Sequence, residues 1–230
     1  MKMKGALTGK SINILTLSDI EVSLLYNSQA SERFPNIDLI LGCGDLSYDY
    51  LEYLISRFDV PLYFVHGNHC KINESDSGTP ITAPQGGVDL HRKVVNHRGL
   101  LLAGIDGCIR YRSGPYQYAQ WEMWWLVFSL APALLLNRIL YGRYLDIFVT
   151  HAPPWGIHDA SDLAHQGARA FRWFLRTFKP AFHFHGHIHV YRPDTITETL
   201  FVRTRVVNTF GYRQTVFEVP ASRPPKTRKR

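Results

Sequence analysis

Five short apolar runs in this 230-residue chain each stop at a cluster of Gly, Asp, Asn or His. The clusters hold Asp19 and Glu21, then Asp45, then Asn68 and His69, then His151, then His187 and His189. One aspartate after a strand is commonly a turn residue, and one histidine is commonly held by hydrogen bonds. Five such ends differ, because strand ends converge and pool their side chains in one crevice. Left alone, carboxylates brought together repel each other and resist desolvation. Divalent cations remove that cost. Mixed imidazole, carboxylate and amide donors suit Mn, Fe, Zn or Ni better than Ca. The set is larger than one tetrahedral zinc needs. Two cations sharing a bridging carboxylate would use it, and such pairs serve in-line attack at phosphorus.

The elements that must position these groups alternate. Strands are expected at Ile12–Leu17, Asp38–Leu41 and Pro61–Val65, with a helix at Tyr48–Phe58 whose Leu51, Leu54, Ile55 and Phe58 share a face. Strand–helix–strand order implies parallel pairing. Residues 71–89, rich in Gly, Pro, Ser and Asp, read as a long loop. A hairpin is expected from Lys93–Val95 and Leu100–Ile105, then a helical region over Gln117–Tyr141 interrupted at Pro132. Leu145–Val149 and Ala181–His185 read as strands around a helix at Gly167–Phe178, whose inner face carries Ala168, Phe171, Leu175 and Phe178. Phe201–Val207 and Gln214–Val219 close a late β region.

In order and kind, these clusters resemble the signature of the calcineurin-like metallophosphoesterases. Asp19-Ile20-Glu21, Gly44-Asp45, Gly67-Asn68-His69-Cys70, Thr150-His151-Ala152 and Gly186-His187-Ile188-His189 fall where that family has D-x-H, G-D, G-N-H-D/E, a lone His and G-H-x-H. The resemblance implies a four-layer αββα sandwich of two mixed sheets. It implies a hydrolase cleaving a phosphomonoester or phosphodiester through a bimetal-activated water. Asp45 would bridge two cations, with Asp19, Glu21 and His189 completing the first position and Asn68, His151 and His187 the second. His69 would act as the catalytic acid. Two positions depart from the pattern. Glu21 stands where the family has His, which favours Mn or Fe over Zn or Ni. Cys70 stands where the family has an acid that orients the His69 ring, a task that Asp19 or Asp106 could take over. A weakly active or inactive scaffold of the same fold, serving in protein interactions, is the alternative these departures raise.

Charge and composition bound the rest. The net charge is +7, and Arg223, Lys226, Arg228, Lys229 and Arg230 crowd the last ten residues. Without that tail the body is near +2. One domain over 1–220 is expected, with a helical insertion near 115–142 and a basic tail over 221–230. The tail gives weak support for a nucleic-acid partner; a phosphorylated small molecule or nucleotide is the expected substrate. Arg110, His158 and His165 are candidates to bind it, with Tyr111, Arg112 and Asp159 close by in sequence. Trp121, Trp124, Trp125, Phe128 and Leu135 lie near one helical stripe, so the 121–136 region reads as a core face or homodimer face. An uninterrupted apolar run of spanning length is absent from the sequence. Three cysteines without zinc-like spacing fit a reducing cytoplasm.

Overall fold

The computed structural model describes residues 5–70, 73–74 and 80–221. The expected basic tail beyond Ala221 lies outside the described residues, as does much of the 71–79 stretch. In chain order the elements are β1 (Ser11–Ser18), α1 (Ala30–Arg33), β2 (Leu39–Cys43), α2 (Tyr48–Phe58), β3 (Leu62–Val65), β4 (Asn73–Glu74), β5 (Pro80–Ile81), β6 (Gly87–Asp89), β7 (Lys93–His97), β8 (Leu100–Ile105), β9 (Cys108–Ile109) and β10 (Gln117–Tyr118). They continue with α3 (Gln120–Tyr141), β11 (Ile147–Thr150), α4 (Arg169–Phe178), β12 (Phe182–His185), β13 (Glu198–Phe201), β14 (Thr204–Asn208) and β15 (Gly211–Glu218).

Two mixed sheets stack face to face. The first runs β15-β1-β2-β3-β6 and the second β13-β14-β12-β11-β8-β7. In the first, β1, β2, β3 and β6 are parallel and β15 is antiparallel at the edge. In the second, β8, β11, β12 and β14 are parallel, flanked by antiparallel β7 and β13. The near-continuous apolar runs follow from burial on both faces. Ile12, Ile14, Leu41 and Val65 of one sheet meet Leu102, Val149, Phe182 and Phe184 of the other. The outer face of the first sheet packs Leu15, Ile40 and Phe64 on Leu51, Leu54 and Phe58 of α2. The outer face of the second is covered by α3 and α4, with Phe148 against Phe171 and Phe174. This is the expected four-layer sandwich.

Several local expectations are corrected. The 71–89 stretch is not all loop, because Gly87–Asp89 adds a parallel edge strand to β3. The expected strand at 201–207 is two strands, turned at Val202 in the left-handed region (φ 60°) so that Phe201 faces Thr204. The helix at 120–141 runs through Pro132 without a break. Pro132 lies on the solvent side, where water can satisfy the carbonyl its missing N–H leaves free. By length and composition α3 could cross a membrane. Its inward residues Met123, Val127, Leu130 and Leu134 are instead buried on the second sheet.

Candidate metal centre

The parallel strands of both sheets present their carboxyl ends at one edge, and the polar clusters follow directly on them. Asp19, Asp45 and His187, each just past a strand end, hold left-handed backbone (φ 68°, 55° and 69°). For residues with a Cβ that conformation costs on the order of 1 kcal/mol each. It turns the chain sharply so that the side chains point inward. Gly67 is required by close approach, since a Cβ there would overlap the Asp45 carboxylate.

The inner half of the site is built around His151. Its Nδ1–H donates to the Cys43 carbonyl (2.9 Å), which leaves Nε2 with a lone pair. The Nε2–H of His187 donates to the Ala164 carbonyl (2.7 Å), leaving Nδ1 as the free nitrogen. These two free nitrogens lie 3.2 Å apart. Asn68 Oδ1 sits 3.0 Å and Asp45 Oδ2 3.3 Å from His151 Nε2. The Asn68 amide is fixed in this sense because its Nδ2–H donates to the Tyr111 hydroxyl (3.1 Å). Four acceptor atoms thus converge with no donor of their own. A divalent cation fits that donor set. Without a cation the cluster draws in a proton. Burial opposes a charged His151, but the Asp45 charge and hydrogen bond, with Asp19 and the Cys43 carbonyl, raise its pKa to about 9. Burial would raise Asp45 as well, but His151 and the N–H and ring of His69 hold it down at about 2. Burial and the His151 charge push His187 down to about 3.

The outer half is looser. Asp19, Asp45 and His151 offer ligand atoms within 4.8 Å of one another. Both carboxylate oxygens of Asp19 already accept the His187 backbone N–H (3.0 and 3.1 Å), and burial raises its pKa. His189 Nε2 stands 3.9 Å from Asp19, while its Nδ1 pairs with the Tyr191 hydroxyl at 2.7 Å. Glu21 accepts from the Ser47 hydroxyl at the N-terminus of α2, and Ser47 in turn caps Tyr50.

His69 is exposed, with its backbone N–H on Asp45 Oδ1 (2.7 Å). Neither Asp19 nor Asp106 orients its ring. Asp106 is taken by His91 (2.6 Å) and the Tyr118 hydroxyl (2.9 Å). The Cys70 thiol accepts from the Gly67 N–H (3.1 Å), and burial pushes it up to about 11. The ring's partner is Arg112, whose Nη2 lies 3.3 Å from His69 Nδ1. Arg110 instead pairs with Glu122 (2.7 Å). His165 bonds Asp162 and lies near His187, with ring centroids 5.5 Å apart. His158 is turned inward to His185 and Thr199 (2.9 Å each), where burial lowers its pKa to about 4. Tyr111 and Arg112 are the residues whose importance sequence reasoning underweighted; their proximity to Asn68 and His69 depends on a loop pinned by Gln117.

Two stacked mixed sheets flanked by helices, with aspartates and histidines at the strand ends, define a metallophosphoesterase-like fold. The calcineurin-like phosphoesterase family matches residues 12–191, and the chain belongs to that family. Among solved structures, one crystal structure is similar at a TM-score of 0.57 and 14% identity, over 91% of this chain and 99% of its own. TT1561 of Thermus thermophilus is similar at 0.55 and 17%, over 88% and 90%. These likenesses bear on fold alone. GAP50, the anchor in the inner membrane complex of Plasmodium, aligns at 0.48 and 12% identity, over 87% and 71%, too distant to carry an argument. No curated protein matches the chain.

Proposed function

We propose that this chain is a cation-binding phosphoesterase-fold scaffold with weak or no turnover, serving chiefly in protein interactions. The observation that carries the reading is the asymmetry of the site. Asp45, Asn68, His151 and His187 would hold one cation, whereas Glu21 is bound to Ser47 and His189 to Tyr191. In-line attack through a cation pair needs both positions.

The converging four-atom cluster favours a second reading, a dinuclear hydrolase of phosphomonoesters or phosphodiesters. Glu21 and His189 would then swing in beside Asp19, with Mn or Fe preferred. A bound cation would neutralise phosphoryl oxygens and lower the pKa of water. The chain's own part is at His69. Arg112 is a donor only, so Nδ1 accepts its N–H and the proton resides on Nε2. From there it can be donated to a leaving-group oxygen, while the Arg112 guanidinium offers an anionic substrate its remaining N–H groups. A phosphorylated small molecule or nucleotide fits this end. The free thiols of Cys43, Cys70 and Cys108 fit a cytoplasmic setting.

Metal content and turnover separate the readings. The chain is reconstituted with Mn, its metal counted per chain, and hydrolysis of p-nitrophenyl phosphate and bis-p-nitrophenyl phosphate compared with Asp45→Ala. The scaffold reading expects at most one ion per chain and a rate close to the variant's. Two ions and robust hydrolysis that Asp45→Ala abolishes would replace it with the second reading.

A further inference from the structure

α3 is apolar over most of its surface, and only one face of it is covered. Met123, Val127, Leu130 and Leu134 are buried on the second sheet, while Trp121, Trp125, Phe128, Leu136 and Ile139 point the other way. Trp125 is 70% exposed and Ile139 79%. Spaced three, four or eight apart, these residues form one outward stripe along a helix of about 33 Å. A stripe of that size on a free surface marks a contact.

The charge around it selects the contact. α4 lies beside α3, joined through Trp124, Phe128 and Trp173. Its buried residues Ala170, Phe171, Phe174 and Phe178 face the sheet, so Arg169 and Arg176 lie on its outward side, their guanidinium groups over the rings of Trp155 (4.5 Å) and Phe201 (5.8 Å). Arg92 borders the hollow formed with Trp125 and Phe128, and Arg138 lies near the C-terminal end. The two helices contain one acid, Glu122, and it is engaged by Arg110 and the Ala119 N–H. An apolar, tryptophan-bearing bar bordered by arginines, its one acid already paired, complements an anionic lipid surface. A second copy would set two such cationic borders together.

We propose that the outward face of α3, with Arg92, Arg138, Arg169 and Arg176 around it, docks on an anionic bilayer with the helix lying in the plane of the interface. The helix does not cross the bilayer, because its inward face remains on the second sheet. The inference is independent of the cation site.

The test is co-sedimentation of the full chain with phosphatidylcholine vesicles, with and without phosphatidylserine. Binding is expected to be about tenfold or more stronger to the anionic vesicles and to weaken with salt. Trp125→Glu with Ile139→Glu removes apolar contact at exposed positions and is expected to abolish binding, with the circular dichroism spectrum unchanged. Arg169→Glu with Arg176→Glu leaves the stripe intact and is expected to weaken binding about tenfold. Deleting residues 222–230 is expected to leave most of it. Failure to bind anionic vesicles overturns the proposal, as does binding lost only with the tail. A dimer in sedimentation velocity that Trp125→Glu with Ile139→Glu dissociates, without vesicle binding, would assign the face to a second copy.

Discussion

The inner and outer halves of the site use the same kinds of residue in different ways. In the inner half, backbone carbonyls at Cys43 and Ala164 fix which nitrogen of His151 and His187 is free, and Tyr111 fixes the Asn68 amide. Their burial leaves those side chains few alternatives. In the outer half, Glu21 and His189 are exposed and have side-chain partners of their own. Ligand identity alone therefore does not make a cation site. The difference lies in whether the surrounding groups have already settled each donor's direction.

The largest effect should come from His151→Ala. It removes the atom on which three other donors converge, and calorimetric Mn affinity is expected to fall by more than about 100-fold. A loss no greater than that of His189→Ala would erase the distinction between the halves.

Next is an acid effect behind the inner half. Burial, with His158 adding to it, pushes the pKa of His183 down to about 3. The folded pKa is below that of the unfolded chain, so the unfolded chain takes the proton first as pH falls below about 6.5. His183 is therefore fully accommodated above that pH, and stability declines as pH drops toward 3. From pH 7.5 to 5 the loss is about 2 kcal/mol. Urea denaturation should show that loss, and His183→Gln should reduce it.

Tyr111→Phe is expected to weaken Mn binding about tenfold, by releasing the Asn68 amide to rotate. Unchanged affinity would mean that the amide holds its direction without the hydroxyl. The smallest effect is assigned to Glu21→Gln, less than about twofold on the first equivalent of Mn, since Ser47 can bond either side chain. A tenfold loss would make Glu21 a ligand and restore the balance between the halves.

Much of this was legible from residue order. The apolar runs ending in Asp, Asn and His gave β1, β2, β3, β11 and β12 and the edge at which they converge, because burial on both faces demands continuous apolar strands. The helix at Tyr48–Phe58 carried its apolar spacing, while its Ser47 cap is a finding of the structure. What escaped depended on partners distant in sequence. The role of Ser47 toward Glu21 spans 26 positions, and that of Arg112 toward His69 spans 43. The three residues Gly87–Asp89 are too few to show a period and become a strand only because β3 offers an open edge. Pro132 reads as a break unless the side of the helix that faces water is known.

The bond from His151 to the Cys43 carbonyl joins a residue after β11 of the second sheet to the last residue of β2 in the first. Asp45 and Asn68 follow strands of the first sheet, His151 and His187 strands of the second. An ion held by these four would fasten the two layers like a rivet at one edge. Its loading should then slow hydrogen exchange in both sheets together, so that the two halves of the sandwich open as one unit when it is bound and more independently when it is removed.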